Sequence, residues 1–287
     1  HYPLRRQRQM CIRDSRGAFL SAFGAVWALA FGSYWLQFGG LLGADGLTPA
    51  AELWARISGG ARAGSAAEAL RRFTTVPCVL CFESSLLRGL DTDDVLESVA
   101  LLGLMCGVLL SMGHHHGLLC LTCYLCYLSL FLSGGEWLRF QWDVFLLETG
   151  AASCLYAPWT FSIPRVWSWR RESGSAEPGA AARPEPAVAW LMRAQWVKFM
   201  LMSGVVKLTA ECPTWQRLTA LEYHFASSCL PTPEAWLAHS LPPLVLRAGV
   251  AVMFITELFA PFLLLVPLRP VRVVGILIQV SQCAQNF

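Results

Sequence analysis

The chain has 287 residues, 55% of them hydrophobic and 14% charged, with a mean hydropathy of +0.47. Soluble domains carry about 25% charged residues, so a soluble globular fold is excluded and an all-α, polytopic membrane helical bundle is expected. The net charge of +3 gives no basis for a nucleic-acid partner, and no Walker loop, GxGxxG or GxSxG is present to hold a cofactor or a nucleophile.

Residues 1–15, HYPLRRQRQMCIRDS, begin without Met and are rich in Arg. They read as a basic, unstructured and non-native segment and are set apart from the fold. Gly17 to Ala44 carries no charge and exceeds the roughly 20 residues a bilayer requires, so a first span is expected there. The Arg-rich run before it places its start on the cytosolic side.

A polar stretch follows at 45–94 and is expected to be lumenal. LTPAAELWARI and SAAEALRRF within it have the spacing of short amphipathic helices. Cys78 and Cys81 form a CxxC, which in an oxidising lumen reads as a disulfide or redox pair and otherwise as two thiols in a partly buried loop.

Ser98 to Gly135 has no charge apart from His114, His115 and His116. It is too long for one span and right for two. The histidines sit in the turn between them and read as solvated, since three adjacent side chains point in different directions and make a poor metal site. Cys120, Cys123 and Cys126 recur every third residue and read as small residues packing between helices. No Cys/His spacing matches a structural zinc site, so no metal is expected.

Ser133 to Pro158 is the most unusual stretch, placing Glu136, Arg139, Asp143 and Glu148 in an otherwise apolar context. A charge at bilayer depth costs a few kcal/mol on insertion scales. At helical spacing Glu136, Arg139 and Asp143 share one face, while Glu148 points elsewhere and needs a partner.

Residues 160–186 hold Arg165, Arg170, Arg171 and Arg183 among Gly, Ser, Glu and Pro, a composition of linker type suited to the cytosol. The second membrane block is 187–287. Its first span brings Arg193, Lys198 and Lys207. The charge pattern predicts that Asp143 or Glu136 meets Lys207, and that Glu148 meets Lys198 or Arg193 deeper in the membrane.

The second polar loop, 211–243, is expected to be lumenal like the first. TWQRLTALEYHF within it reads as one amphipathic helix. Cys212 and Cys229 can pair with each other or with the Cys78/Cys81 loop. Leu244 to Pro267 spans again and carries Glu257, which joins the intramembrane charge network. A last apolar helix begins at Val273 and the sequence stops inside it, so the chain reads as a fragment. The count is about five to seven spans, with short basic loops on one side.

Several long words in this order resemble the lipase maturation factor family: FQWDVFLLETG at Phe140–Gly150, SGVVKLT at Ser203–Thr209, and W-x-x-LTAL-x-YH at Trp215–His224. CLPTP at Cys229–Pro233, AW-x-AH at Ala235–His239 and LPP at Leu241–Pro243 continue it. The likeness covers roughly residues 16–279. It departs at Phe225–Ser228, where the family reads YETQ, and at His239-Ser240, where a His pair is usual.

The resemblance implies a multi-pass endoplasmic-reticulum protein that helps secreted lipases mature and assemble, with membrane lipid as its other partner and no cofactor. It directs attention to Trp215, Leu218, Tyr223, His224, Trp236 and His239 as client-contact or cap residues. A distant similarity of the same bundle to vitamin K-dependent carboxylase supplies the alternative of a membrane enzyme using Lys207, His224 and Glu148. A thiol–disulfide factor using Cys78 and Cys81 is a further alternative.

Overall fold

The computed structural model describes the backbone of residues 2–58, 65–82, 90–159, 186–227 and 232–285, with the side chains of 2–14, 186 and 283–285 left aside. Every regular element among these residues is helical. The chain divides into two units, His1–Ala189 and Trp190–Phe287. Among the described residues, three helical stretches are long and apolar enough to cross a membrane: Ser15–Leu41, Thr92–Ser111 and Pro243–Leu265, with Gly117–Ser133 a shorter apolar helix.

The first unit is built on α1 (Tyr2–Leu41). An aromatic ring recurs every third or fourth residue along it at Phe19, Phe23, Trp27, Phe31, Tyr34 and Phe38, which at helical spacing makes one stripe. Neighbouring rings along it stack, meet edge-on or tilt against each other at 5.4–5.7 Å. Trp27 and Phe31 have no exposed surface.

Against that stripe lies α4 (Thr92–Ser111). Gly24 of α1 faces Leu110, Ala28 faces Gly107, and Phe31 faces Gly103, so the two helices run antiparallel. A Cβ at Gly107 would come within 2.8 Å of the Ala28 nitrogen. The Gly103-x-x-x-Gly107 pair is therefore what lets the backbones close, as small residues do in membrane helices. At the far end the Ala44 N–H donates to the Asp93 carboxylate at 2.7 Å, placing an acid in the first turn of α4 where the helix dipole favours it.

Met112 to His116 turn the chain into α5 (Gly117–Ser133), with Gly113 at φ +96°. The histidines are half-buried rather than solvated. His115 shares a 2.8 Å hydrogen bond with the Ser21 hydroxyl of α1. The ring of His116 caps α5 by accepting from the Leu118 N–H at 3.1 Å. Cys120, Cys123 and Cys126 are buried, and the Cys123 thiol points to the Gly103 carbonyl at 3.8 Å. They serve as small packing residues.

The first polar loop forms α2 (Ala50–Ser58) and α3 (Ala66–Thr75), where the two amphipathic patterns stand in the sequence. Ser65 caps α3 by accepting from the Glu68 N–H. The loop folds back on the end of α5, where the Val79 N–H donates to Ser129 Oγ at 3.0 Å. Trp137 Nε1 donates to Thr48 Oγ1 at 2.7 Å.

One helix does not run through Glu136, Arg139 and Asp143. Gly134 and Gly135 end α5, and Gly135 takes φ +56°. A 3-10 turn follows at Gly135–Leu138, and α6 (Gln141–Tyr156) starts only afterwards. Glu136 and Arg139 are exposed on the turn, so the expected polar face is broken before Asp143. The N-terminal segment also departs from expectation: the helix is continuous from Tyr2. Pro3 falls in the first turn, where it is tolerated, and the following Leu, Arg, Gln and Met are good helix formers.

The second unit contains α7 (Pro186–Thr209), of which the first four residues belong to the first unit, then α8 (Pro213–Gln216) and α9 (Ala220–His224). These lead to α10 (Pro233–His239), α11 (Pro243–Leu258) and α12 (Arg269–Gln285), the last two joined through a 3-10 turn at Ala260–Leu265. The expected single helix over TWQRLTALEYHF is two. Leu218 sits at φ +58°, a left-handed conformation that no helix interior accepts. The linker arginines Arg165, Arg170, Arg171 and Arg183, and Cys229, lie outside the described residues.

Candidate functional site

Among the described residues, each unit holds a polar centre. In the first unit Asp143 is buried. Its carboxylate accepts from the Tyr127 hydroxyl at 2.7 Å and from the Phe140 N–H at 3.3 Å. It stands in the first turn of α6, where the dipole and free N–H groups favour an anion. The expected cation is replaced by a phenol and a helix start. Glu148 lies half-buried farther along α6.

The second centre is an ion pair. Lys207 Nζ donates to Glu257 at 2.5 and 2.7 Å. Glu257, not Asp143 or Glu136, is its partner, because α7 meets α11 at Gly204. A Cβ there would lie 3.2 Å from the Glu257 Cβ and within 2.7 Å of Leu258. Glu257 is only 2% exposed. Its lone pairs are further met by Ser203 Oγ at 3.4 Å and more distantly by Gln282 Nε2 at 3.5 Å. Ser203 also accepts from Lys207 at 3.1 Å. Gln279 on the same turn of α12 is buried and donates to the Thr256 carbonyl at 2.9 Å. Buried charge with this degree of hydrogen bonding is the arrangement a low-dielectric interior tolerates. On α7 Arg193 lies over the Trp190 ring at 5.2 Å, and Lys198 is exposed.

The end of α7 is coupled to the loop after it. Glu211 turns the chain at φ +50°, and Pro213 opens α8 at a position that suits proline. This reversal brings the Trp215 ring over Lys207 Nζ at 5.7 Å and edge-on to Phe254 of α11 at 6.2 Å. Then α9 is tied to α11 by Glu222 with Arg247 at 3.5 Å, and by Leu221 against Gly249.

The six residues singled out in this loop accordingly separate into inner and outer ones. Trp215 and Leu218 are half-buried. Tyr223 is 61% exposed and Trp236 is 74% exposed. His224 and His239 are exposed at the ends of α9 and α10.

The cysteines at 78 and 81 have free thiols. Cys78 is buried and directs its Sγ to the Ser129 carbonyl, while Cys81 directs its Sγ to the Val76 carbonyl. Burial pushes the Cys78 thiol up to about 12 and the Cys81 thiol up as well. A redox nucleophile needs the opposite shift. Cys212 is free too and lies 3.0 Å from Thr214 Oγ1.

The aromatic stripe of α1 and the Trp215–Lys207 contact are the features that reading by charge alone overlooks. The first was open to view in the Phe19–Phe38 spacing. The second has only the weaker signal of a Trp eight positions beyond a Lys, with Pro213 between.

Residues 14–285 match the family model described as the lipase maturation factor transmembrane domain. Lipase maturation factor 2 of Gallus gallus is 39% identical over 93% of this chain and 35% of its own length. The Homo sapiens protein of that name is 38% identical over 93% of this chain and 36% of its own length. Lipase maturation factor 1 of Homo sapiens is 28% identical over 71% of this chain and 33% of its own length. The chain thus spans about a third of the length of the relatives it matches. No solved structure is detectably similar. With a family model matched over nearly the whole chain, the chain belongs to the lipase maturation factor family.

Proposed function

We propose that this chain is the membrane-embedded part of a non-enzymatic folding factor of the endoplasmic-reticulum membrane, and that it assists the maturation and assembly of secreted lipases. The family name points to lipase maturation. The observation that carries the reading is the second loop, braced from behind and aromatic in front. Trp215 and Leu218 support it, and Tyr223, His224, Trp236 and His239 form the surface offered to an incompletely folded client. Exposed aromatic residues on a fixed support suit transient apolar contact, since they bring large area at small entropic cost.

The rival readings find less support. A membrane enzyme would rest on Lys207, whose ammonium is committed to Glu257. A thiol–disulfide factor would rest on Cys78, whose thiol is buried and held in its neutral form.

The test is lipase secretion from cells lacking the endogenous factor, rescued by a full-length protein carrying this domain, with co-precipitation of the immature lipase. Tyr223→Ala together with Trp236→Ala is expected to reduce both capture and secretion several-fold while leaving the amount of factor in the membrane unchanged. Full capture and secretion by that variant would remove these residues from the client surface.

A further inference from the structure

Glu211 and Leu218, on either side of α8, both hold left-handed backbone conformations without being glycine. Such conformations persist only where surrounding contacts impose them. The four-residue α8 is too short to hold itself. Its own carbonyls and N–H groups close a tight knot: Arg217 N–H to the Pro213 carbonyl at 2.9 Å and Thr219 N–H to the Thr214 carbonyl at 2.8 Å. The knot is fastened to the bundle through Trp215, which touches Lys207 and Phe254.

We infer that Lys207 is a positioning residue with two simultaneous partners. It neutralises Glu257 inside the bundle and holds the Trp215 ring over its ammonium outside, so that the intramembrane ion pair latches the 211–227 segment onto the ends of α7 and α11. The geometry fits both tasks. A bidentate carboxylate contact at 2.5 and 2.7 Å fixes the ammonium in place. A ring centroid at 5.7 Å is within the range where a cation is drawn to an indole face. Indole is the best aromatic partner for such a contact, and partial removal from water strengthens it. The ion pair alone would not select an aromatic ring above it, and the ring alone would not require a cation below it. The latch deepens the proposed function by naming what keeps the client surface in register. It does not depend on the identity of the client.

The experiment separates the cation's two roles by hydrogen exchange of the 213–219 segment in the full-length protein in lipid nanodiscs, without any client. Trp215→Leu keeps the ion pair and an apolar side chain, and is expected to speed exchange there about tenfold or more. Lys207→Arg keeps a cation and is expected to stay near the parent rate. The charge swap Lys207→Glu with Glu257→Lys restores an ion pair but puts a carboxylate beneath the ring. It is expected to melt as one cooperative bundle while the 213–219 segment still exchanges fast. Parent-like protection in the swapped protein, or in Trp215→Leu, would overturn the latch. If the latch opens as expected and secretion of lipase is unaffected, the latch stands and the client reading of this surface falls.

Discussion

At the scale of single residues, the most consequential group is Glu257. A carboxylate 2% exposed is acceptable only while Lys207, Ser203 and Gln282 face it. Removing one partner of a buried pair typically costs about 3–5 kcal/mol, whereas replacing both by apolar groups is often neutral. Lys207 keeps some contact with solvent, so Lys207→Met is expected to cost toward the lower end, about 3 kcal/mol. Adding Glu257→Leu to Lys207→Met is expected to recover most of that loss, as measured by thermal melting in nanodiscs. A double variant no more stable than the single one would mean that the site is not electrostatically coupled.

His115 provides a second residue-scale prediction, because it faces Ser21, Arg16 and His114. Burial first, and then the charges of Arg16 and His114, hold its imidazole below the ordinary value. Opening the turn therefore takes up a proton that the closed turn refuses. The contribution is complete above an ordinary histidine pKa of about 6.5 and is lost as pH falls below it toward the depressed folded value. Amide exchange at residues 113–117, corrected for its intrinsic pH dependence, is expected to speed as pH drops from 7 to 5. His115→Gln, which does not titrate in this range, is expected to flatten that response.

At the scale of elements, α1 and α4 carry the first unit through an aromatic stripe set into glycine notches. Gly103 has the Phe31 ring where its Cβ would be, and Gly107 has the Ala28 backbone there. Gly103→Val adds branched bulk to a filled space and is expected to cost roughly 1–3 kcal/mol or more. Phe31→Ala alone removes a fully buried ring at roughly 3–5 kcal/mol. Combining the two relieves the clash, so the paired cost is expected to fall short of the sum, a departure that thermal melting of the three variants measures.

Much at this scale was legible. Each of the apolar runs expected to span forms a helix, the histidine turn stands between α4 and α5, and both amphipathic segments of the first loop are helices. What escaped was decided by backbone conformation and by neighbours distant in sequence. Gly135 and Leu218 take positive φ, and break in two what a periodicity count joins into one. Only Gly135 announces itself by residue type, since leucine gives no warning of a left-handed turn. Pairing is worse placed still. The charge pattern pointed Lys207 to Asp143 or Glu136, and Gly204 brings it Glu257 instead by admitting α11.

For the molecule as a whole, the chain belongs to the lipase maturation factor family and folds as two units. Each unit has a polar loop folded onto its own helices. In the first, Val79 and Thr48 of the loop are tied to Ser129 and Trp137. In the second, Trp215 and Glu222 tie it to Lys207, Phe254 and Arg247. Both loops are expected on one side of the membrane. The distribution of basic residues argues that they share it. Arg165, Arg170, Arg171 and Arg183 crowd the linker, and Arg269 and Arg272 follow α11, whereas acids and bases nearly balance between 45 and 94. Short loops rich in Lys and Arg stay cytosolic.

Glycosylation acceptors inserted after Ser58 and after Ser227 are therefore both expected to be modified in the full-length protein. An acceptor placed among the linker arginines is expected to remain bare. Modification at only one of the two loop sites would put the loops on opposite faces. If the bare site is the one after Ser227, Tyr223 and Trp236 face the cytosol, and a secreted client cannot reach them.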